Sequence, residues 1–227
     1  MISLNIIGEG KTELNFARNV LKPHLNGFKV FVDARSVLTS RDRRNAVEHR
    51  GGLQSYNKAK KDIQTWLIEQ PRDHFRFTTM FDLYRLPDNF PGYAEAAQKK
   101  DPYERIRILE ERVAQDINDR RFIPYIQLHE FESLVLAAPQ NLDSVYLGRD
   151  AEINALIAMV GDQNPELIND HVETAPSKRI LKQIPEYRKA TAGVAVTEKT
   201  GLPTLRARCR HFNEWLSRLE QLSGAAQ

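Results

Sequence analysis

Short apolar runs alternate with amphipathic stretches through the first part of the chain. Ile2–Ile7 reads as a buried strand and Gly8-Glu9-Gly10 as a turn. Thr12 then caps a helix running to Leu21, with Pro23 beyond its end. Phe28–Val32, β-branched and aromatic, reads as a second strand ending at Asp33. Leu53, Tyr56, Ile63, Trp66 and Leu67 share one helical face, and Phe75–Phe81 is a third strand. Tyr103, Ile106, Leu109, Val113 and Ile117 form the apolar stripe of a helix opened by Pro102, and Phe122–Gln127 is a fourth strand. This alternation, with right-handed crossovers, predicts an α/β fold: a Rossmann-like, mostly parallel sheet flanked by helices.

After Pro139 the pattern changes. Helical stretches punctuated by Pro165, Pro176, Pro185 and Pro203 replace the strands, and the last helix spans Thr204–Leu222. The predicted organisation is an α/β core over residues 1–138 and a helical C-terminal extension over 139–227, packed on that core.

Acidic residues stand where three of the strands end. Glu9 and Glu13 follow the first, Asp82 ends the third, and Glu130 and Glu132 follow the fourth. In an open α/β sheet, ligands bind outside the carboxyl ends of the strands. Carboxylates gathered there repel one another unless a cation neutralises them, and hard oxygen donors suit Mg²⁺ or Mn²⁺. Glu9, Asp82, Glu130 and Glu132 are therefore the candidate metal ligands and catalytic residues of a site that handles phosphates. One of the pair Glu130 and Glu132 is expected to face the site while the other caps a helix or meets solvent. His129 reads as a supporting or core histidine.

Charge adds less than its distribution. Lys and Arg number 33 against 30 Asp and Glu, for a net charge of +3, too mild to establish a nucleic-acid binder. Arg35, Arg41, Arg43, Arg44 and Arg50, however, crowd the polar segment 34–52, which reads as a long basic loop. Arg41, Arg43 and Arg44 join Lys11, Arg85, Lys178 and Arg179 as candidate phosphate-binding side chains, with Arg suited to bidentate contact. Gly10-Lys11-Thr12 imitates a phosphate-binding loop, but Asn5 stands where that pattern needs its earlier glycine. One cysteine, Cys209, excludes an intrachain disulfide and a thiolate zinc cluster. The opening MISLNIIGEG has no basic flank or long apolar core, and no run reaches the roughly 20 apolar residues of a membrane span. A cytoplasmic protein is expected.

Three segments together resemble a known family. They are Gly8-Glu9-Gly10-Lys11-Thr12-Glu13, Phe81-Asp82-Leu83-Tyr84, and Pro124 through Glu132 with its Glu-Phe-Glu. Ala175-Pro176-Ser177-Lys178-Arg179 and Gly201-Leu202 with Cys209-Arg210-His211-Phe212 extend the likeness over nearly the whole chain. The family is the bacterial domain of unknown function 4276, itself similar to the Toprim domains of topoisomerases, primases and overcoming-lysogenization-defect nucleases. The resemblance implies a Toprim-like fold and Mg²⁺-dependent phosphodiester chemistry of nuclease type. It also implies a phage-defence or mobile-element setting, with nucleic acid and an ATPase protein as partners. Glu9 matches the Toprim glutamate and Asp82 the first Asp of its Asp-x-Asp. Tyr84 stands in place of the second, so Glu130 or Glu132 has to supply the missing carboxylate. The alternative is a non-catalytic module with a degenerate Toprim site that binds nucleic acid or the ATPase.

Overall fold

The computed structural model describes residues 1–42, 47–50, 53, 55–84, 86–169 and 174–224, with the side chains of 38–50 outside the described set. Five strands make one sheet, all paired in parallel: β1 (Ile2–Gly8), β2 (Val30–Ser36), β5 (Phe75–Asp82), β6 (Phe122–Ile123) and β7 (Ile126–Gln127). Their order is β2-β1-β5-β6, with β7 continuing alongside β5. A two-stranded antiparallel ribbon, β3 (Leu38–Asp42) and β4 (Val47–Arg50), follows β2.

Both faces of the sheet are covered, which explains why its strands read as near-continuous apolar runs. Successive side chains of a strand point to opposite faces. Ile2, Leu4 and Ile6 of β1 accordingly enter one core, and Ile7 enters the other. The first core is closed by helices α1 (Lys11–Phe16) and α2 (Lys22–Asn26). The same core takes Ile153 and Leu156 of α7 (Asp150–Val160), Leu205 of α9 (Val194–Arg208) and Phe212, Trp215, Leu216 and Leu219 of α10 (Arg210–Glu220). The second is closed by α3 (Tyr56–Glu69), α4 (Tyr93–Ala97) and α5 (Pro102–Ile117), through Ile63, Trp66, Ala96, Ile106, Leu109 and Val113. The helices after Pro139 thus share a core with the first strands. No described helix is long and apolar enough to cross a membrane.

Several local readings are corrected. The first helix does not stop before Pro23. It widens into a π-helical turn at Ala17–Leu21 and continues as α2, with Pro23 in the first turn after the widening. The second strand begins and ends later than its apolar run. Lys29 turns with φ 59, and the register against β1, from Ile2↔Val30 to Gly8↔Ser36, carries the strand through Asp33 and Arg35. The described residues of segment 34–52 therefore form the end of a strand and a ribbon rather than a long loop. The C-terminal helix is two helices, because Cys209 adopts an extended φ/ψ of −121°/95° between α9 and α10. The buried carboxylate of Glu166 accepts from the N–H groups of His211 and Phe212 at 2.9 and 3.0 Å, and so caps α10.

Candidate active site

Register brings the acidic residues together. Gly8 pairs with Met80, and the next N–H, that of Glu9, donates to Met80 O at 3.2 Å, so Glu9 leaves the sheet beside Asp82. On the other side of β5, Asp82 pairs with Gln127. The ladder then runs on through Leu83 N–H to Gln127 O and Tyr84 N–H to His129 O, at 2.9 and 2.8 Å. This delivers the His129–Glu132 turn to the same end of the sheet. Phe131 N–H donates to Asp82 Oδ1 at 3.0 Å, which fixes that turn on the aspartate. Glu132 opens the short helix α6 (Glu132–Val135) and is fully buried.

A fourth carboxylate, Glu13, joins from α1. Its Oε2 accepts from Gly10 N–H at 2.7 Å, tying the first helical turn back to the strand tip. Gly8 allows this approach, since a Cβ there would lie 2.8 Å from Glu13 Cβ. Glu9 accepts from the N–H groups of Asp82 and Leu53 at 3.3 and 3.4 Å.

Among the described residues, one cation faces this group. Lys189 Nζ lies 2.8 Å from Asp82 Oδ2 and 3.2 Å from Glu132 Oε2. It comes from a π-helical turn at Lys189–Gly193 that Asn15 holds to α1 through Ala190 O at 3.2 Å. Tyr187 Oη donates to Glu132 Oε1 at 3.4 Å, and Gly193 makes room for that ring, because a Cβ at 193 would lie 2.6 Å from the hydroxyl.

Electrostatics follow from burial and crowding. Burial, then the Asp82 charge, push Glu9 up to about 7 and Glu13 up to about 8. Burial pushes Glu132 up to about 7; Lys189 pulls it down and Asp82 pushes it further up. Lys189 is held above its usual value: burial favours the neutral amine, but the charges of Asp82, Glu132 and Glu13 outweigh it. Among the described residues, then, a single ammonium faces several carboxylates.

The candidate residues are sorted by this geometry. Glu9, Asp82 and Glu132 converge. Glu130 turns aside: its Oε2 accepts from Ser177 N–H at 2.9 Å and caps α8 (Pro176–Gln183). Replacing Glu130 with Ala is expected to destabilise the fold by about 1 kcal/mol, the cost of a missing cap, while Mn²⁺ affinity stays within about twofold. An affinity loss as large as that of Asp82→Asn would return Glu130 to the cluster. His129, buried with φ 59, accepts at Nδ1 from Asn169 Nδ2 at 3.1 Å, which fits a supporting role. Lys11 is exposed at the start of α1, and Lys178 at the start of α8. Arg179 Nε donates to Thr174 O at 2.7 Å. Arg35 is absorbed by packing, 4.0 Å over the Trp66 ring and 3.2 Å from Asp62. Arg43, Arg44 and Arg85 and the Arg41 side chain lie outside the described residues. The ribbon that carries Arg41 is nevertheless rooted at the site. Val37 N–H donates to Gly8 O at 2.9 Å, and the chain returns at Leu53, on Glu9.

Sequence reasoning grouped Glu13 with Glu9 after the first strand and placed it in a helical first turn, but did not count it among the ligands, and it gave Lys189 no role. Glu13 had a signal, the three-residue spacing from Gly10 that lets a glutamate reach back to the cap. Lys189 had none, because only tertiary packing brings it from the far end of the chain.

A family model matches residues 8–220. The chain belongs to the family described as Domain of unknown function (DUF4276). No curated protein matches it at a significant level. Among solved structures, the C-terminal region of the Burkholderia pseudomallei OLD protein is similar at a TM-score of 0.47 and 16% identity, covering 96% of this chain and 98% of that one. The C-terminal region of the Xanthomonas campestris pv. campestris OLD protein follows at 0.41 and 15% identity, covering 94% and 93%.

In donor chemistry the cluster fits a hard divalent cation: carboxylate oxygens, buried, with one ammonium against them among the described residues. In position it is not preassembled. Among the described residues no three His, Cys, Asp or Glu side chains stand ready to hold a metal ion.

Proposed function

We propose that this DUF4276 protein carries out Toprim-like, Mg²⁺- or Mn²⁺-dependent phosphodiester chemistry of nuclease type, in a phage-defence or mobile-element setting. The observation that supports it is the convergence of Glu9, Glu13, Asp82 and Glu132 at the carboxyl ends of parallel strands, three of them with raised proton affinity. Glu9, Asp82 and Glu132 would hold the cation, with Glu13 beside them. Glu132 and Glu13 would supply the carboxylates that Tyr84 does not. The metal, when bound, would polarise a phosphoryl oxygen and stabilise the charge that develops there. Lys11, Lys178 and the ribbon arginines would contact flanking phosphates, and an ATPase protein would deliver the substrate.

The test is a cleavage panel on single- and double-stranded DNA and RNA with Mg²⁺, Mn²⁺ or EDTA. Cleavage that needs metal supports the reading; metal-independent cleavage, or none on any substrate, contradicts it. Neutralising Arg41, Arg43 and Arg44 together should weaken nucleic-acid binding and lower the salt slope of log K by roughly 2–3, about 0.7–0.9 for each phosphate no longer neutralised. An unchanged slope would remove the ribbon from the interface.

A second reading has its own support. Asp82 and Glu132 are already paired with Lys189, as expected of a binding module whose metal site has closed. Such a module would bind nucleic acid and take up no Mn²⁺.

A further inference from the structure

Lys189 places a positive charge where a metal ion's would stand, and this bears on how the metal reading works. We infer that Lys189 is an internal counter-ion of the metal-free protein, exchanged for the divalent cation, so that the two occupy the cluster in turn. The inference rests on the metal reading above.

The contacts carry it. Asp82 Oδ1 is used by Phe131 N–H, and Oδ2 is the oxygen that Lys189 holds. Glu132 Oε2 is buried, makes no hydrogen bond, and has the Lys189 ammonium 3.2 Å away. The oxygens a cation needs are thus the ones the amine holds. Simple withdrawal of the amine would leave Glu132 Oε2 buried without a counter-charge, which is costly, so departure is coupled to arrival of another cation.

The amine can make the exchange and the acids cannot. The Lys189 side chain is 34% exposed, against 9% for Asp82 and 0% for Glu132. A lysine stem of four methylenes can swing its head to water while its backbone stays in place. The backbone is held by Asn15 at Ala190 O, and the π-helical turn is a form that recurs at functional sites. A divalent ion gains twice the attraction of an ammonium from each carboxylate, and hard oxygens favour it further. The lysine thus sets a threshold: it keeps four acids together without metal and weakens metal binding by competing for the same oxygens.

The experiment pairs two readouts. Wild-type protein is treated with an amine-acylating reagent, with and without saturating Mn²⁺, and modification of each lysine is followed by mass spectrometry. Lys189 should react several-fold faster with Mn²⁺ present, while exposed Lys11 and Lys178 keep their rates. Mn²⁺ titrations of wild type and Lys189→Met should show affinity rising on the order of tenfold in the variant. If Mn²⁺ binds but Lys189 reactivity stays the same, the amine does not leave, and the inference fails while the metal site stands. If Mn²⁺ binds neither protein, both fail. Should Lys189→Met not fold, acylation of the wild type decides alone.

Discussion

Glu9→Gln and Asp82→Asn are each expected to reduce metal-dependent cleavage on the order of a hundredfold or more. The amides keep the shape of the carboxylates and remove the charge that holds a hard cation. Neither change should unfold the protein. In the metal-free state Asp82 raises the proton affinity of Glu9, Glu13 and Glu132, so its charge is in part a repulsion, although Asp82→Asn also weakens the ion pair with Lys189. Glu9 has hydrogen bonds from two backbone N–H groups, which the Gln carbonyl oxygen can still accept in part. Circular dichroism and cleavage rates measured side by side check this. A variant that keeps its rate with Mg²⁺ would remove that residue from the reaction.

The second large effect is on pH. Glu9, Glu13 and Glu132 are raised from about 4.5 to about 7, 8 and 7, so the folded protein holds protons there that the unfolded chain has released. Stability changes with pH as the difference between protons bound unfolded and folded, and here the folded state binds more. The metal-free protein should lose stability as pH rises from about 5 to about 8. One group shifted this far corresponds to about 3 kcal/mol, or on the order of 10 °C in Tm for a chain of this size. The three act on one another, so their effects will not add. His211 contributes in the same direction: burial lowers its pKa, but Glu110 outweighs burial and holds it up. Glu13→Gln separates the two, because it should flatten the dependence while His211 is untouched. Bound Mg²⁺ should flatten it too, as metal binding releases the same protons and tightens with pH. Melts across this range that show no loss, or the same loss in Glu13→Gln with Mg²⁺, would contradict the assignment.

The sequence made the sheet legible because both faces are buried. Ile2–Ile7 and Phe75–Phe81 are strands almost as read, and Pro102 opens α5 with Asp101 as its cap. Elements defined by pairing were less visible. β2 continues through Asp33 and Arg35 because β1 offers backbone partners, which hydropathy does not record. The break at Cys209 depends on Glu166 capping α10 from 45 residues away in sequence. At the site, three acids announced themselves by ending strands. Choosing Glu132 over Glu130 required the α8 terminus, and Lys189 required the whole fold.

The central claim is that Glu9 and Asp82 help to hold a divalent cation. Thermal melts of wild type and the Glu9→Gln/Asp82→Asn double variant, with and without Mg²⁺, test it most directly. A ligand bound only by the native state at a hundredfold excess over its Kd adds about 2.7 kcal/mol, or on the order of 5–10 °C here. Wild type should gain that increment and the double variant should gain none. Equal responses in both proteins would place the metal elsewhere, and the phosphodiester reading would lose its support.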